Sequence, residues 1–200
     1  MRLLLAICLL VIPTLAQAKN YSDLSTYYPL AEGNAWVYAS ESNFGGLNQF
    51  AVESYDKESA YYTVRHKNNL VDGLLIIEYK GDRIQKIGAT SSVTGDIEPK
   101  IVPEIILMSP LIKGTKWHYF NNNYDIYCQV VGIVTTEVKA GKFNNVIKVE
   151  IMRKNKKKKE NWPPEYQYFA PNVGLIKTEA KIKNKMLLIE ELIDYTIKSP

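Results

Sequence analysis

Short runs of alternating apolar and polar residues, separated by clusters of turn residues, limit the possible fold more than any other feature of this sequence. In Ala60–His66, for example, successive side chains would lie on opposite sides of an extended strand. Turn signals such as Gly45-Gly46 and Gly81-Asp82 separate runs of this kind. No segment sustains the period of an amphipathic helix. The pattern predicts an all-β fold with roughly ten to twelve strands.

The spacing of the runs also predicts how the strands are connected. Because neighbours are joined by short turns, we expect an antiparallel meander that forms a strongly curved sheet or an incomplete β-barrel. The segment Ile97–Ser109 is expected to be irregular, since Pro99 and Pro103 discourage a long regular element. Tyr124–Lys139 is expected to be one long strand or a pair of strands, and Gly132 predicts a bulge within it. The predicted strands are Asn34–Glu41, Leu47–Tyr55, Ala60–His66, Leu70–Lys80, Arg83–Ala89, Thr115–Phe120, Tyr124–Lys139, Asn145–Arg153, Tyr166–Ala170, Leu175–Lys183 and Met186–Ile197.

One ten-residue pattern occurs twice. Pro29–Tyr38 and Pro110–Tyr119 both read P-L-x-x-G-x-x-W-x-Y. Proline fixes φ, glycine permits a tight turn, and aromatic residues two apart share one face of a strand. Each copy therefore predicts a turn that starts a strand. Whether the copies reflect a duplication is open, because the residues that follow them do not continue to match.

The aromatic residues of the repeated pattern are candidate ligand-binding residues. On the inner face of a curved sheet they would either fill the core or line an apolar cavity for a small or lipidic ligand. Packing in the core is the more common role of such side chains. The four candidates are Trp36, Tyr38, Trp117 and Tyr119.

The amino terminus has the features of a secretory signal peptide. Arg2 precedes the apolar stretch Leu3–Leu15, and Ala16–Ala18 supplies small residues for cleavage after Ala18. Cys8 lies within the apolar stretch and does not follow a small residue, so we do not expect a lipoprotein anchor. The sequence thus predicts residues 1–18 as a signal peptide and residues 19–200 as a single periplasmic or secreted all-β domain. No membrane-spanning segment is expected after cleavage.

Residues that commonly carry catalysis or bind metals are few. The chain has no H-E-x-x-H, paired CxxC, G-x-S-x-G or glycine-rich phosphate motif. His66 and His118 fit ordinary strand positions, so no catalytic residue, metal or cofactor is predicted. Cys128, the one cysteine after the signal peptide, is expected to be buried. Glu104 and Glu190, each part of an acidic pair, are expected on the surface.

The strongest local charge lies at Arg153–Lys159, where six of seven residues are basic. The run is predicted to form the tip of a protruding hairpin. It would either contact an anionic partner, such as lipid headgroups or an acidic envelope polymer, or simply be a solvated loop. No nucleic-acid partner is expected, since the chain carries an export signal and a net charge of only +4. The candidate contact residues are Arg153, Lys154, Lys156, Lys157, Lys158 and Lys159.

Three stretches together resemble a broad group of exported bacterial β-proteins of unknown function. They are Tyr28–Tyr38, Ala140–Val149 and Tyr168–Lys177, and the closing stretch Glu191–Tyr195 fits the same pattern. The resemblance implies an exported, sheet-rich domain. Its motifs are turn and strand signatures, so it implies no catalytic residues. The basic run Arg153–Lys159 is not part of the shared pattern.

These observations favour a non-enzymatic envelope protein that binds a small or lipidic ligand, or a protein partner. One alternative is a structural or assembly component of the envelope, for which a sheet edge open to strand addition would be the sign. Another is a hydrolase with dispersed residues. That alternative requires His66 or His118 in a cleft near a carboxylate or hydroxyl group.

Overall fold

The structure is a computed structural model that describes residues 24–41, 46–90, 97–121, 123–157 and 161–198, with the side chains of the strand at 97–108 described from residue 102 onward. The predicted signal peptide lies outside these residues, as do Lys158 and Lys159. Within the described ranges, no helix has the length and apolar character needed to cross a membrane.

The described chain contains one short helix and twelve strands, and most predicted strand boundaries are within two residues of the observed ones. The elements are α1 (Leu24–Tyr27), β1 (Ala35–Ser40), β2 (Gly46–Asp56), β3 (Tyr61–Lys67), β4 (Asp72–Lys80), β5 (Arg83–Thr90), β6 (Ile97–Met108), β7 (Lys116–Asn121), β8 (Tyr124–Val138), β9 (Gly141–Asn155), β10 (Glu165–Ala170), β11 (Gly174–Ile182) and β12 (Lys185–Thr196).

All strands belong to one antiparallel sheet with the order β6-β5-β4-β3-β2-β1-β12-β11-β10-β9-β8-β7. Pairing of the first strand with the last, from Ala35 opposite Thr196 to Ser40 opposite Glu190, nearly closes the sheet into a barrel. One seam, between β6 and β7, remains unsealed. The prediction of an all-β antiparallel meander forming an incomplete barrel is confirmed.

The two copies of the repeated pattern begin the two halves of this sheet, β1–β6 and β7–β12. In both copies the glycine has a positive φ, +83° at Gly33 and +99° at Gly114. The glycine N–H donates to a valine carbonyl in the following strand, from Gly33 to Val52 at 2.9 Å and from Gly114 to Val130 at 2.8 Å. Each valine N–H bonds in return to the residue after the glycine. Both copies are therefore turns that start a strand, as predicted.

The tryptophan of each copy ties distant parts of the barrel together. The Trp36 indole N–H donates to the Val173 carbonyl at 2.6 Å, and the Trp117 indole N–H donates to the Ile105 carbonyl of β6 at 3.2 Å. The second bond crosses the seam. Asn121 Nδ2 also crosses it, to Glu104 Oε1 at 3.2 Å. Side chains thus bridge an edge that has no continuous backbone ladder.

Two sequence expectations about local structure were wrong. Ile97–Met108 forms β6, not an irregular segment, because β6 lies beside the seam and a strand at an edge tolerates prolines that lack an N–H. The sequence predicted no helix, yet α1 precedes β1, and its Leu24 and Tyr27 are buried. The Tyr27 hydroxyl donates to the Asn145 carbonyl at 3.1 Å, so this segment covers one end of the barrel. The bulge at Gly132 is confirmed.

Because successive strands alternate in direction, the barrel has two distinct ends. The connections β2–β3, β4–β5, β6–β7, β8–β9 and β10–β11 lie at the end covered by α1, which we call the α1 end. The connections β1–β2, β3–β4, β7–β8, β9–β10 and β11–β12 lie at the opposite end, which we call the far end.

We expect Trp36→Phe and Trp117→Phe each to lower the free energy of unfolding by about 1–3 kcal/mol, because each leaves a carbonyl without its buried donor. Trp162→Phe is the control, since Trp162 is 57% exposed. Its effect should stay within about 0.5 kcal/mol. Urea unfolding followed by far-UV circular dichroism measures all three. A Trp117→Phe variant as stable as Trp162→Phe would show that the bond across the seam contributes nothing.

Candidate functional site

Three cavities adjoin one another along the interior of the described barrel. The first, near the α1 end, has a volume of about 70 Å³, the central one about 290 Å³ and the one at the far end about 500 Å³. The first and second share walls that include Phe50 and Leu175, and the second and third meet at Arg153. The interior is therefore narrow near α1 and widens toward the far end.

Two of the predicted ligand-binding residues line the smallest cavity. Trp36 and Tyr38 are both buried, and the Tyr38 hydroxyl donates to the Leu175 carbonyl at 2.8 Å. Burial, together with the charge of Glu190, raises the pKa of Tyr38 well above its ordinary value. The cavity of about 70 Å³ has room for only a few water molecules. Trp36 and Tyr38 are core residues in this state of the protein.

The other two predicted residues lie on β7. Trp117 is buried at the seam, where its indole N–H donates a hydrogen bond to the Ile105 carbonyl. Tyr119 lines the central cavity, and burial raises the pKa of its hydroxyl. The sequence grouped four aromatic residues as one candidate set, but the structure separates the pair on β1 from the pair on β7.

The central cavity contains an ion pair that the sequence did not predict. Lys86 Nζ lies 2.6 Å from Glu104 Oε2, and the side chains are 24% and 18% exposed. The expectation that Glu104 is a surface charge was wrong. Glu104 also accepts the hydrogen bond from Asn121 across the seam.

A second interior ion pair borders the far-end cavity. Arg153 Nη1 lies 2.6 Å from Glu165 Oε2, with side chains 28% and 14% exposed. Burial lowers the pKa of Arg153, but the hydrogen bond to Glu165 and the negative charge of Glu165, together with smaller contributions from neighbouring groups, outweigh burial, and the pKa is raised. Arg153 therefore stays charged inside the barrel. The remaining walls are mostly apolar and come from several strands and one loop: Tyr124, Ile126, Trp162, Pro163, Ala180, Ile182 and Ile189.

The basic run does not form the predicted protruding tip over the residues that the structure describes. Arg153, Lys154 and Asn155 are the last residues of β9 and pair with β8. Arg153 faces the interior, while Lys154 Nζ lies 4.8 Å from the centre of the Tyr127 ring. Lys156 Nζ is 4.1 Å from the centre of the Phe120 ring. Lys157 is exposed. Arg153 is thus removed from the candidate surface, and Lys154 and Lys156 lie against aromatic rings of the barrel wall.

A buried carboxyl group lies on the inner side of β12. Glu190 accepts hydrogen bonds from Asn48 Nδ2 at 3.2 Å and from Thr178 Oγ1 at 3.3 Å. Burial raises its pKa. The surface position expected for Glu190 was wrong. The alternation of β12, in which Glu190 shares a face with the buried Leu192, was the available signal, and the adjacent Glu191 obscured it.

The two histidines lie in different environments. His66 stacks on Phe50 with ring centres 4.4 Å apart, and burial lowers its pKa. His118 is exposed, and its Nε2 is 3.9 Å from Asp125 Oδ1, beyond hydrogen-bonding distance. His66 Nε2 lies 3.4 Å from Asn68 Nδ2. In the described ranges, no group of three or more His, Cys, Asp or Glu side chains could hold a metal ion.

The fold is similar to that of two solved structures. One is a candidate exported protein with a YmcC-like fold from Bacteroides fragilis NCTC 9343, with a TM-score of 0.52 and 13% identity over 86% of this chain and 99% of that chain. The other is a candidate lipoprotein from Parabacteroides distasonis ATCC 8503, with a TM-score of 0.49 and 16% identity over 86% of this chain and 98% of that one. No protein-family model matches the sequence, and no curated protein is significantly similar to it.

Cys128 provides a test of how closed the interior is. It is buried beside the central cavity, and burial raises its thiol pKa to about 12. Since the thiolate is the reactive form, we expect labelling by a thiol reagent at pH 8 to be roughly a thousandfold slower in the folded protein than in urea. Peptide mapping assigns the label to Cys128. Fast labelling of the folded protein would show that the central cavity opens to solvent.

Glu190 should make stability depend on pH. A folded-state pKa above the unfolded value means that the native state binds more protons, so stability falls as pH rises through the interval between the two values. Glu190→Gln removes this dependence of stability on pH. At pH 7 it should raise the free energy of unfolding by at most about 1 kcal/mol, whereas at pH 4 it should give no increase. Glu191→Gln, which removes an ion pair with Lys139 at 2.8 Å, should give no such gain. Urea titrations at both pH values measure the two variants, and a gain for Glu190→Gln at pH 4 would contradict the assignment.

Proposed function

We propose that this chain is an exported, non-enzymatic protein of the cell envelope that binds a small lipidic ligand inside its barrel. The signal-peptide pattern of residues 1–18 and a fold similar to that of a candidate exported protein support export. The interior cavities support ligand binding, and the far-end cavity is the proposed site.

The far-end cavity is the observation that carries this proposal. Its volume of about 500 Å³ lies in the range of small-molecule sites, roughly 300–1,000 Å³. Its apolar walls include Ile126, Ile182 and Ile189, which suit hydrocarbon. Trp162 lines the cavity and is 57% exposed, so its aromatic ring would contact a ligand that enters the cavity. Tyr119 would contact a ligand long enough to reach the central cavity.

The ion pair within the site indicates what kind of polar group the ligand carries. Arg153 already has the carboxylate of Glu165 as a partner at 2.6 Å, so the pair presents donors and acceptors but no net charge. Such a pair favours a polar group that both donates and accepts hydrogen bonds, such as a hydroxyl or an amide, over a multiply charged anion. A hydrocarbon chain with one polar end group fits both parts of the site.

Reducing the space in the far-end cavity tests the proposal. Ala180 lines this cavity, and Ala180→Phe would occupy part of it. We expect the variant to bind a dansyl-labelled undecanol at least tenfold more weakly than the unaltered protein. Ala180→Ser, which adds a single polar atom, is the matched control and should bind within about threefold of the unaltered protein. Fluorescence titration measures the affinities, with circular dichroism to confirm folding.

Native mass spectrometry of protein recovered from its own envelope provides an independent measurement. We expect an added mass that extraction with organic solvent removes, and less of it on Ala180→Phe. Protein that is always recovered empty and that fails to bind the dansyl probe saturably would overturn the proposal.

A further inference from the structure

The hairpin formed by the ends of β11 and β12 projects from the far end of the barrel. All seven residues from Lys181 to Leu187 are exposed, although a strand in a barrel wall alternates between inner and outer faces. The neighbouring strands stop short of this segment. β10 begins at Glu165, opposite Ala180, and β1 ends at Ser40, opposite Glu190. The hairpin tip therefore extends past both neighbours as a two-stranded ribbon.

The ribbon combines cationic and apolar side chains. Lys181, Lys183 and Lys185 alternate with other residues around the turn. Ile182, Met186 and Leu187 are 39%, 42% and 47% exposed. At these exposed fractions, much of each apolar side chain is in contact with water, although Ile182 also lines the far-end cavity. Such exposure is unfavourable unless something else covers it.

The turn residues are not those that folding alone would favour. Lys183 and Asn184 have φ values of +47° and +66°, as in the two-residue turn for which Asn-Gly is the preferred sequence. A lysine in the left-handed region is less favourable than glycine, because its Cβ lies too close to the backbone carbonyl oxygen. The chain therefore holds a lysine at the tip against its backbone preference, which is consistent with a role for the charge.

Other exposed groups lie at the same end of the barrel. Trp162 lies across the far-end cavity from Ile182, and the backbone N–H of Lys181 donates to the Pro164 carbonyl of the same loop at 2.8 Å. In the β3–β4 connection, Leu70 is 74% exposed. Lys157 is exposed beyond the end of β9. Exposed apolar and cationic side chains are thus found at the end of the barrel that contains the far-end cavity.

We infer that the far end of the barrel docks on an anionic phospholipid bilayer, with the β11–β12 hairpin as the principal contact. Met186, Leu187 and Trp162 would enter the region between headgroups and acyl chains, and the three hairpin lysines would reach the phosphates. This contact goes beyond the proposed ligand binding and does not depend on it. It would bring the far-end cavity to the source of a lipidic ligand.

A bilayer fits this surface better than a protein partner does. The projecting tip is narrow, whereas a stable protein interface covers about 800 Å² on each partner. Three lysines on one tip would also repel the same tip of a second copy. Alternating cationic and apolar groups match the boundary of an anionic bilayer, where charge and hydrocarbon lie within a few ångströms of each other.

Binding to vesicles tests the inference with two triple variants of equal charge. The first replaces Lys181, Lys183 and Lys185 with glutamine. The second replaces Lys57, Lys113 and Lys142, which are exposed at the α1 end, with glutamine. Sedimentation with vesicles of phosphatidylcholine, with or without phosphatidylglycerol, measures the partition coefficient. Every variant carries the same amino-terminal segment, so any contribution of that segment cancels in the comparison.

We expect the unaltered protein to prefer vesicles that contain phosphatidylglycerol. The hairpin triple variant should lose roughly a hundredfold in partition coefficient, since each lysine near an anionic surface contributes about 1 kcal/mol. The α1-end triple variant should stay within about threefold of the unaltered protein. Met186→Ser with Leu187→Ser should weaken binding at least tenfold.

Equal losses for the two triple variants would overturn the inference, because attraction would then follow net charge alone. Absence of binding by the unaltered protein would overturn it as well. Dimerisation that depends on the hairpin, seen by analytical ultracentrifugation, would assign the surface to a second copy instead. Lys183→Asn with Asn184→Gly should make the turn more favourable and still weaken vesicle binding, which separates a binding role from a folding role.

Discussion

The pairing of β1 with β12 is the contact on which the rest of the structure depends. It joins residues about 150 positions apart, from Ser40 opposite Glu190 to Ala35 opposite Thr196, and turns a long meander into a nearly closed barrel. The other paired strands are neighbours in sequence. Closure at β1–β12 places the remaining two edges beside each other, where the bond from Trp117 to Ile105 bridges them. Side-chain hydrogen bonds across the seam thus cover the two edge strands, although no continuous ladder of backbone hydrogen bonds joins them.

Closure also explains why charged residues lie inside. A twelve-stranded sheet encloses more space than its inward-facing side chains fill, and the volume is largest away from α1. In the Lys86–Glu104 and Arg153–Glu165 pairs, each basic side chain has a carboxylate 2.6 Å away. Buried pairs of this kind add little to stability. Their position beside the cavities is what connects them with the proposed ligand site.

The far end brings the two proposals together. The cavity with the apolar walls lies at this end, and the β11–β12 hairpin projects from it with exposed lysines and apolar side chains. The α1 end is covered by the buried Leu24 and Tyr27. A ligand would therefore reach the interior most directly from the far end. If that end rests on a bilayer, the path from membrane to cavity is short and need not pass through bulk water.

The sequence alone determined eleven of the twelve described strands, because alternation and turn chemistry act over a few residues. It also determined that the repeated pattern is a turn that starts a strand. Local signals could not show that Ile97–Met108, with its two prolines, pairs along one side only, since that depends on which strand lies beyond it. Nor could they show that Arg153 points inward, or that the hairpin Lys181–Leu187 extends past its neighbours whereas Arg153, Lys154 and Asn155 pair within the barrel wall. Whether a charged residue faces solvent or the interior, and whether a hairpin extends beyond its neighbours, follows from the register of strands distant in sequence. Only the closed tertiary structure decides that register, because the pairing energy that selects it comes from residues on both strands at once.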